Sequence, residues 1–151
     1  MEQTTFRIFI FGTLKSDYPN FRFNSGTRMS GLFTTVEKYP LYLIGPRHSP
    51  WMINDPGVGF EVEGEVFEVD AKGLKVMDEL ERIDRENGYR RLIIAIQSKN
   101  SGEVLDAYVY LKTKKQYLEE RHAKNVCSGP WDCYTVEQSR RYRPRNHSDQ
   151  G

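Results

Sequence analysis

Six residues, Phe6-Arg7-Ile8-Phe9-Ile10-Phe11, form an almost unbroken apolar run that stops abruptly at Gly12-Thr13. Aromatic and β-branched residues without alternation fit a strand buried on both faces, so the rest of the chain must supply a layer on each side of it. Glycine at the strand's end allows a sharp turn and a close approach of the backbone to a ligand. The N–H groups of Gly12, Thr13 and Leu14 then lie at the rim of the core. Such a row of amides holds a carboxylate or a developing oxyanion without a charged side chain. Half of a site is therefore expected at residues 12–14.

The remainder of the chain bounds what that site belongs to. Its 151 residues suit one domain with a sizeable core, and 13% aromatic content is enough to pack it. That domain is expected to span residues 1–145, with 146–151 a tail. The net charge of +1 argues against a chain built to bind nucleic acid. Met-Glu-Gln-Thr-Thr before a short apolar run is neither a secretion signal nor a membrane span, so the expected home is the cytosol. Cys127 and Cys133 fit free thiols in a reducing compartment. Together with His122 they lack the paired spacing of a zinc site, so no metal is expected. Asn146-His147-Ser148 is a glycosylation sequon with no secretion signal to use it.

Residues 15–30, rich in Ser, Asp, Pro, Asn and Gly, read as a loop with room for a short helix. Residues 32–44 read as one or two strands, 50–53 as a short apolar stretch, and 92–97 and 104–111 as two strands joined at Asn100-Ser101-Gly102. Residues 60–69 read as a strand whose wet face carries Glu61, Glu63 and Glu65, with a bulge at Val66-Phe67. A polar helix is expected at 116–123, and little periodicity follows Ser128. Many strands with one or two helices give an α+β domain, a sheet curled around a small core.

The clearest helix covers residues 71–83. On a wheel, Leu74, Met77, Leu80 and Asp84 share one side, Glu81 falls inside that stripe and Asp78 borders it. A carboxylate on an apolar face needs a reason. Burial and the helix C-terminus would both raise the pKa of Glu81 and make it a better base. The competing account ends the helix at the core boundary, with the Glu81 carboxylate in solvent or paired with Arg90 or Arg91.

Other patterns carry less. Gly12-Thr13-Leu14-Lys15-Ser16 lacks the spacing of a phosphate loop, and no nucleophile elbow accompanies the three histidines. Tyr89, after the Asn87-Gly88 turn, reads as a half-buried anchor or a lid, the anchor being favoured. The stretch Arg140-Arg141-Tyr142-Arg143-Pro144-Arg145 reads as a solvated arm, or as a contact for RNA or an acidic partner.

The same residues resemble the gamma-glutamyl cyclotransferase-like superfamily, above all the animal gamma-glutamylamine cyclotransferases and their troponin C-akin relatives. Phe11-Gly12-Thr13-Leu14 is similar to the family's Tyr-Gly-Thr-Leu loop, with Phe11 in the tyrosine's place. Tyr39-Pro40-Leu41, Pro50-Trp51, Pro56-Gly57 and Val62-Glu63-Gly64-Glu65-Val66-Phe67 resemble its middle block. Met77-Asp78-Glu79-Leu80-Glu81 resembles Leu-Asp-x-Phe-Glu, with Leu80 replacing the phenylalanine, and Tyr89 and Arg91 match a following Tyr-x-Arg. The resemblance implies a small mixed β-barrel flanked by helices. It also implies a reaction without cofactor: the α-amine of a γ-glutamyl group attacks its own γ-carbonyl, giving 5-oxoproline and a free amine. On that resemblance Glu81 is the general acid/base and Phe11, Gly12, Thr13 and Leu14 bind the glutamyl end. Trp51 and Tyr89 are candidates for the pocket wall. The implied partner is a small γ-glutamyl molecule, with γ-glutamyl-ε-lysine, glutathione and γ-glutamyl amino acids as alternatives, and the expected state is a monomer. A protein that keeps the pocket only to bind a ligand is the competing reading.

Overall fold

The computed structural model describes residues 4–143. The sequon at 146–148 and the expected tail at 146–151 lie outside the described residues. Nine strands, three α-helices and one short 3-10 helix at Phe21–Phe23 follow one another along them. The strands are β1 (Thr5–Ile10), β2 (Thr27–Arg28), β3 (Phe33–Thr35), β4 (Leu41–Ile44), β5 (Ser49–Met52), β6 (Glu63–Asp70), β7 (Arg90–Ser98), β8 (Val104–Leu111) and β9 (Val126–Trp131). The helices are α1 (Ala71–Leu80), α2 (Lys114–His122) and α3 (Val136–Ser139).

Five strands pair in a cycle: β1 with β8, β8 with β7, β7 with β3, β3 with β6, and β6 back to β1. Only β1–β8 is parallel. The short β2 adds to β6, and β5-β4-β9 form a second, three-stranded sheet. The result is the mixed α+β domain anticipated from the sequence, with a sheet curled on itself.

The opening run behaves as expected of a strand covered on both sides. Phe9 points into the cycle with Phe33, Val66, Ile96 and Val109. Ile8 and Ile10 point outward, onto a second layer formed with Phe67, Leu74 and Met77. Each face of β1 thus buries apolar surface, worth roughly 1.5–3 kcal/mol per fully buried large side chain. Gly64 allows β6 to cross β1 closely, because a Cβ there would lie 2.5 Å from the Ile10 carbonyl oxygen.

Several expectations need correction. Helix α1 ends at Leu80, not residue 83: Glu81 caps it and Arg82 takes a left-handed φ of 54°. Asp84 is consequently exposed, off the apolar stripe. Pairing of β1 with β6 runs in unbroken register from Thr5↔Asp70 to Ile10↔Glu65, so no bulge sits at Val66-Phe67. Glu65 does not share the wet face: it is 8% exposed, accepts from the Ser16 N–H at 2.8 Å, and lies 3.5 Å from Arg28. Its carboxylate ties the segment after residue 14 to β6. Finally, the stretch beyond Ser128 is not featureless. It completes β9, where pairing with β4 is irregular, and then forms α3. Irregular pairing erases the period of two that would reveal a strand.

Candidate active site

The segment that follows β1 is fixed by its carbonyls. The Gly12 oxygen accepts from the Lys15 N–H (3.1 Å), the Thr13 oxygen from the Asn20 N–H (2.8 Å), and the Leu14 oxygen from Asn24 Nδ2 (3.1 Å). Asn20 Nδ2 also donates to Thr13 Oγ1 at 2.8 Å. Among the described residues, no hydrogen bond engages the N–H groups of Gly12, Thr13 or Leu14. Buried amides without partners are rare in folded chains, which makes this row of donors informative. Gly12 has an ordinary φ, so its role is space rather than a left-handed turn. A Cβ there would press to 3.0 Å from Pro50 Cγ.

Lys15, next in the chain, is 8% exposed. Its ammonium donates to the Tyr134 carbonyl oxygen at 2.5 Å and lies 4.2 Å from the centre of the Tyr18 ring. Burial lowers its pKa, and the charges of Cys133 and Glu65 oppose that shift. Lys15 therefore anchors the loop from behind. It is not among the residues lining the cavity.

That cavity, of about 30 Å³, is bounded by residues 9–14 together with Pro50, Glu81, Tyr89 and Tyr110. The loop and Glu81 thus meet across one small space. Glu81 is half-buried, its N–H donating to the Met77 oxygen (2.9 Å) and its oxygen accepting from the Tyr89 N–H (3.0 Å). The return loop between them is closely tied. Arg90 donates to the carbonyls of Arg85, Gly88 and Glu86. Lys112 donates to Asn87 at 2.6 Å, and Gln116 to Glu86 and Gly88, each at 2.9 Å. A Cβ at Gly88 would fall 1.7 Å from the Arg82 oxygen, so only glycine fits that approach. The backbone that presents Glu81 is therefore held from three elements.

The pairing anticipated for Arg90 or Arg91 goes elsewhere. Arg91 pairs with Asp78, and Arg90 serves the loop carbonyls. Tyr89 is the anchor favoured above: half-buried, its hydroxyl donates to the Pro50 oxygen at 2.9 Å. Trp51, on β5, stands outside the small cavity. It lines a groove of about 1170 Å³ that shares Thr13, Pro50, Glu81 and Tyr89 with it. The groove wall also carries Arg47, Glu119 and Glu120. Between Trp51 and Tyr89 lies the Lys112 ammonium, 4.2 and 4.5 Å from their ring centres.

Sequence reasoning passed over Tyr110 and Lys112, and named Pro50 only within the Pro50-Trp51 pair, not as part of the cavity wall. The missed signal for Tyr110 is alternation along β8. Ala107, Val109 and Leu111 enter the cycle, so Tyr108 and Tyr110 must face α1.

Comparison with known proteins sets this geometry beside relatives. The family model described as "Gamma-glutamyl cyclotransferase, AIG2-like" matches residues 8–133. A gamma-glutamylaminecyclotransferase B of Danio rerio is 38% identical over 115 residues, covering 71% of this chain and 59% of that protein. The Homo sapiens gamma-glutamylaminecyclotransferase is 37% identical over 95 residues, covering 60% of this chain and 61% of its own length. The chain thus matches about three fifths of each of these two relatives. The crystal structure of an AIG2-like protein from Mus musculus superposes with a TM-score of 0.77 at 29% identity, covering 95% of this chain and 98% of that one.

Proposed function

The chain belongs to the AIG2-like gamma-glutamyl cyclotransferase family, and from that premise we propose that it is an enzyme releasing 5-oxoproline from γ-glutamyl amines. The observation that carries the reading is the cavity shared by Glu81 and a loop whose three amides are engaged by no hydrogen bond among the described residues.

The γ-glutamyl α-carboxylate rests on the N–H groups of residues 12–14. Held there, the substrate curls so that its α-nitrogen faces its own γ-carbonyl, and conformational freedom is removed before the ring closes. Glu81 takes a proton from the α-ammonium. The freed lone pair forms a C–N bond to the γ-carbon, and the carbonyl oxygen takes up the negative charge. That oxyanion collapses, the bond to the departing nitrogen breaks, and Glu81 returns its proton to that nitrogen; the ring nitrogen, cationic after the attack, gives up its extra proton to the freed amine, which leaves as the ammonium. The products are 5-oxoproline and a free amine. The departing amine occupies the wide groove, whose mixed charges, Arg47 with Glu119 and Glu120, suit a zwitterion such as lysine. γ-Glutamyl-ε-lysine is therefore the first substrate to try. Phe11 leaves the loop without a hydroxyl at that position, while its backbone donors are unaffected.

The test is 5-oxoproline release from γ-glutamyl-ε-lysine, glutathione and γ-glutamyl-alanine, with Glu81→Gln beside the wild type. Release from one of them, reduced roughly 100- to 10,000-fold by the substitution, is the expected result. No release from any by folded protein would overturn the reading in favour of a ligand-binding role.

A further inference from the structure

The cavity wall facing the loop contains a polar chain that the reaction as drawn does not use. Tyr110 is 4% exposed and bounds the cavity together with Glu81. Its hydroxyl donates to Asp78 Oδ1 at 2.8 Å. The other Asp78 oxygen takes the Arg91 guanidinium, which also lies 4.8 Å from the centre of the Tyr108 ring. Asp78 and Glu81 stand three residues apart on α1 and its cap, so they share a face and flank the phenol. Burial and the hydrogen bond to Asp78 push the Tyr110 pKa far above its ordinary value, and the nearby charge of Glu81 acts in the same direction. The phenol therefore keeps its proton.

A phenol has one proton to give. Once Asp78 takes it, the oxygen offers only lone pairs to anything else. An acceptor of fixed orientation beside a carboxylate is matched to a group with several N–H donors and mismatched to a carbonyl or a second anion.

We propose that Tyr110 is the second acceptor for the substrate's α-ammonium, with Glu81 taking one N–H and the Tyr110 oxygen another. The inference rests on the cyclotransferase reading of the same cavity. An α-ammonium has three N–H groups and rotates about its Cα–N bond. After Glu81 removes one proton, the nitrogen keeps two N–H groups and a lone pair. An N–H held at Tyr110 stops the rotation and keeps that lone pair aimed at the γ-carbon, the orientation on which ring closure depends. Asp78 is then a positioning residue: it holds the hydroxyl rotor, and Arg91 holds Asp78.

Two ligands that differ only in the α-amine isolate the contact. Binding of L-glutamate and of glutarate is measured by calorimetry for the wild type, Tyr110→Phe and Asp78→Asn. The wild type should prefer L-glutamate. Tyr110→Phe should lose roughly ten- to a hundredfold of that preference, the size of one hydrogen bond to a charged donor, with its affinity for glutarate unchanged. Asp78 retains Arg91 in Tyr110→Phe, so this variant is expected to fold, and its melting temperature checks that it does. Asp78→Asn should also lower the preference, because its amide can donate to the phenol and turn the hydroxyl proton toward the cavity. Full preference in Tyr110→Phe, equal loss for both ligands, or no preference in the wild type would overturn the inference. 5-Oxoproline release by the wild type reports on the reaction separately. A protein that prefers L-glutamate through Tyr110 but releases no product upholds the ammonium site and refutes the cyclotransferase reading.

Discussion

Helices α1 and α2 are nearly equal in length, ten and nine residues, and are held by opposite means. Both start on a side-chain oxygen. Asp70 accepts from the Gly73 N–H at 2.7 Å, and Thr113 accepts from the Gln116 N–H at 3.0 Å. Beyond that they diverge. α1 buries Gly73, Leu74 and Met77 against the outer face of β1 and β6, whereas α2 buries no residue. Instead α2 has a complete capping box, the Gln116 contacts to the return loop, and a stack of Tyr117 on Tyr42 with ring centres 4.6 Å apart. The carboxylate at the heart of the candidate site therefore hangs from the helix fixed by core packing. The outer groove wall, with Glu119 and Glu120, hangs from the helix fixed by local bonds. On the proposed reading, the proton transfer that needs close placement would rest on the first, and the groove for the departing amine on the second.

The strongest way to break this contrast is Met77→Ala. Met77 is fully buried, so the cavity left behind should cost about 3 kcal/mol in urea unfolding, and release of 5-oxoproline should fall with it as α1 loosens. A result below 1 kcal/mol would mean that α1 is not held by its core. Gly88→Ala should come next, at roughly 2 kcal/mol, because the new Cβ must push the Arg82 carbonyl out of its place. Its loss of activity should exceed what the stability change explains, since the moved backbone presents Glu81. Thr113→Ala should cost about 1 kcal/mol, the size of one lost cap. If α2 serves mainly the departing amine, KM should change while kcat stays near wild type. The smallest effect concerns Tyr42, whose pKa burial and the Tyr117 hydrogen bond raise to about 12. Between pH 10 and 12 the unfolded chain has released this proton and the folded chain keeps it, so stability falls as pH rises through that window. Ultraviolet titration of the wild type against Tyr117→Phe should show the Tyr42 transition moving to lower pH.

Much of this molecule could be read from local pattern. The run from Phe6 to Phe11 announced a strand covered on both sides, and it is β1, with Phe9 inside the cycle and Ile8 and Ile10 beneath α1. Glu81 was conspicuous because a charge interrupted an apolar stripe. The helix boundary was less legible. Periodicity carried α1 through residue 83, but the chain turns at Arg82, which no propensity predicts. That turn is fixed from a distance, by Gly88 against the Arg82 carbonyl and by Arg90, Lys112 and Gln116 on the carbonyls that follow. Glu65 illustrates the opposite error. Alternation placed it with Glu61 and Glu63 in solvent, and only the return of residues 15–16 over β6 covers it.

The sequence by itself determined the class of the fold, the position of its first core strand, and the two halves of the candidate site, a glycine-ended loop and an interrupting glutamate. These are short-range signals, because burial periodicity and turn chemistry are written within a few residues of each other. Tertiary structure alone decided that the halves meet across one cavity, that Arg91 serves Asp78, and that Tyr110 joins the same wall. Those outcomes depend on β8 lying beside β1 and on α1 packing over β1 and β6, from where Asp78 reaches Tyr110 on β8. The residues concerned are far apart in the chain, and their contact exists only because the closed cycle of strands brings them onto one face.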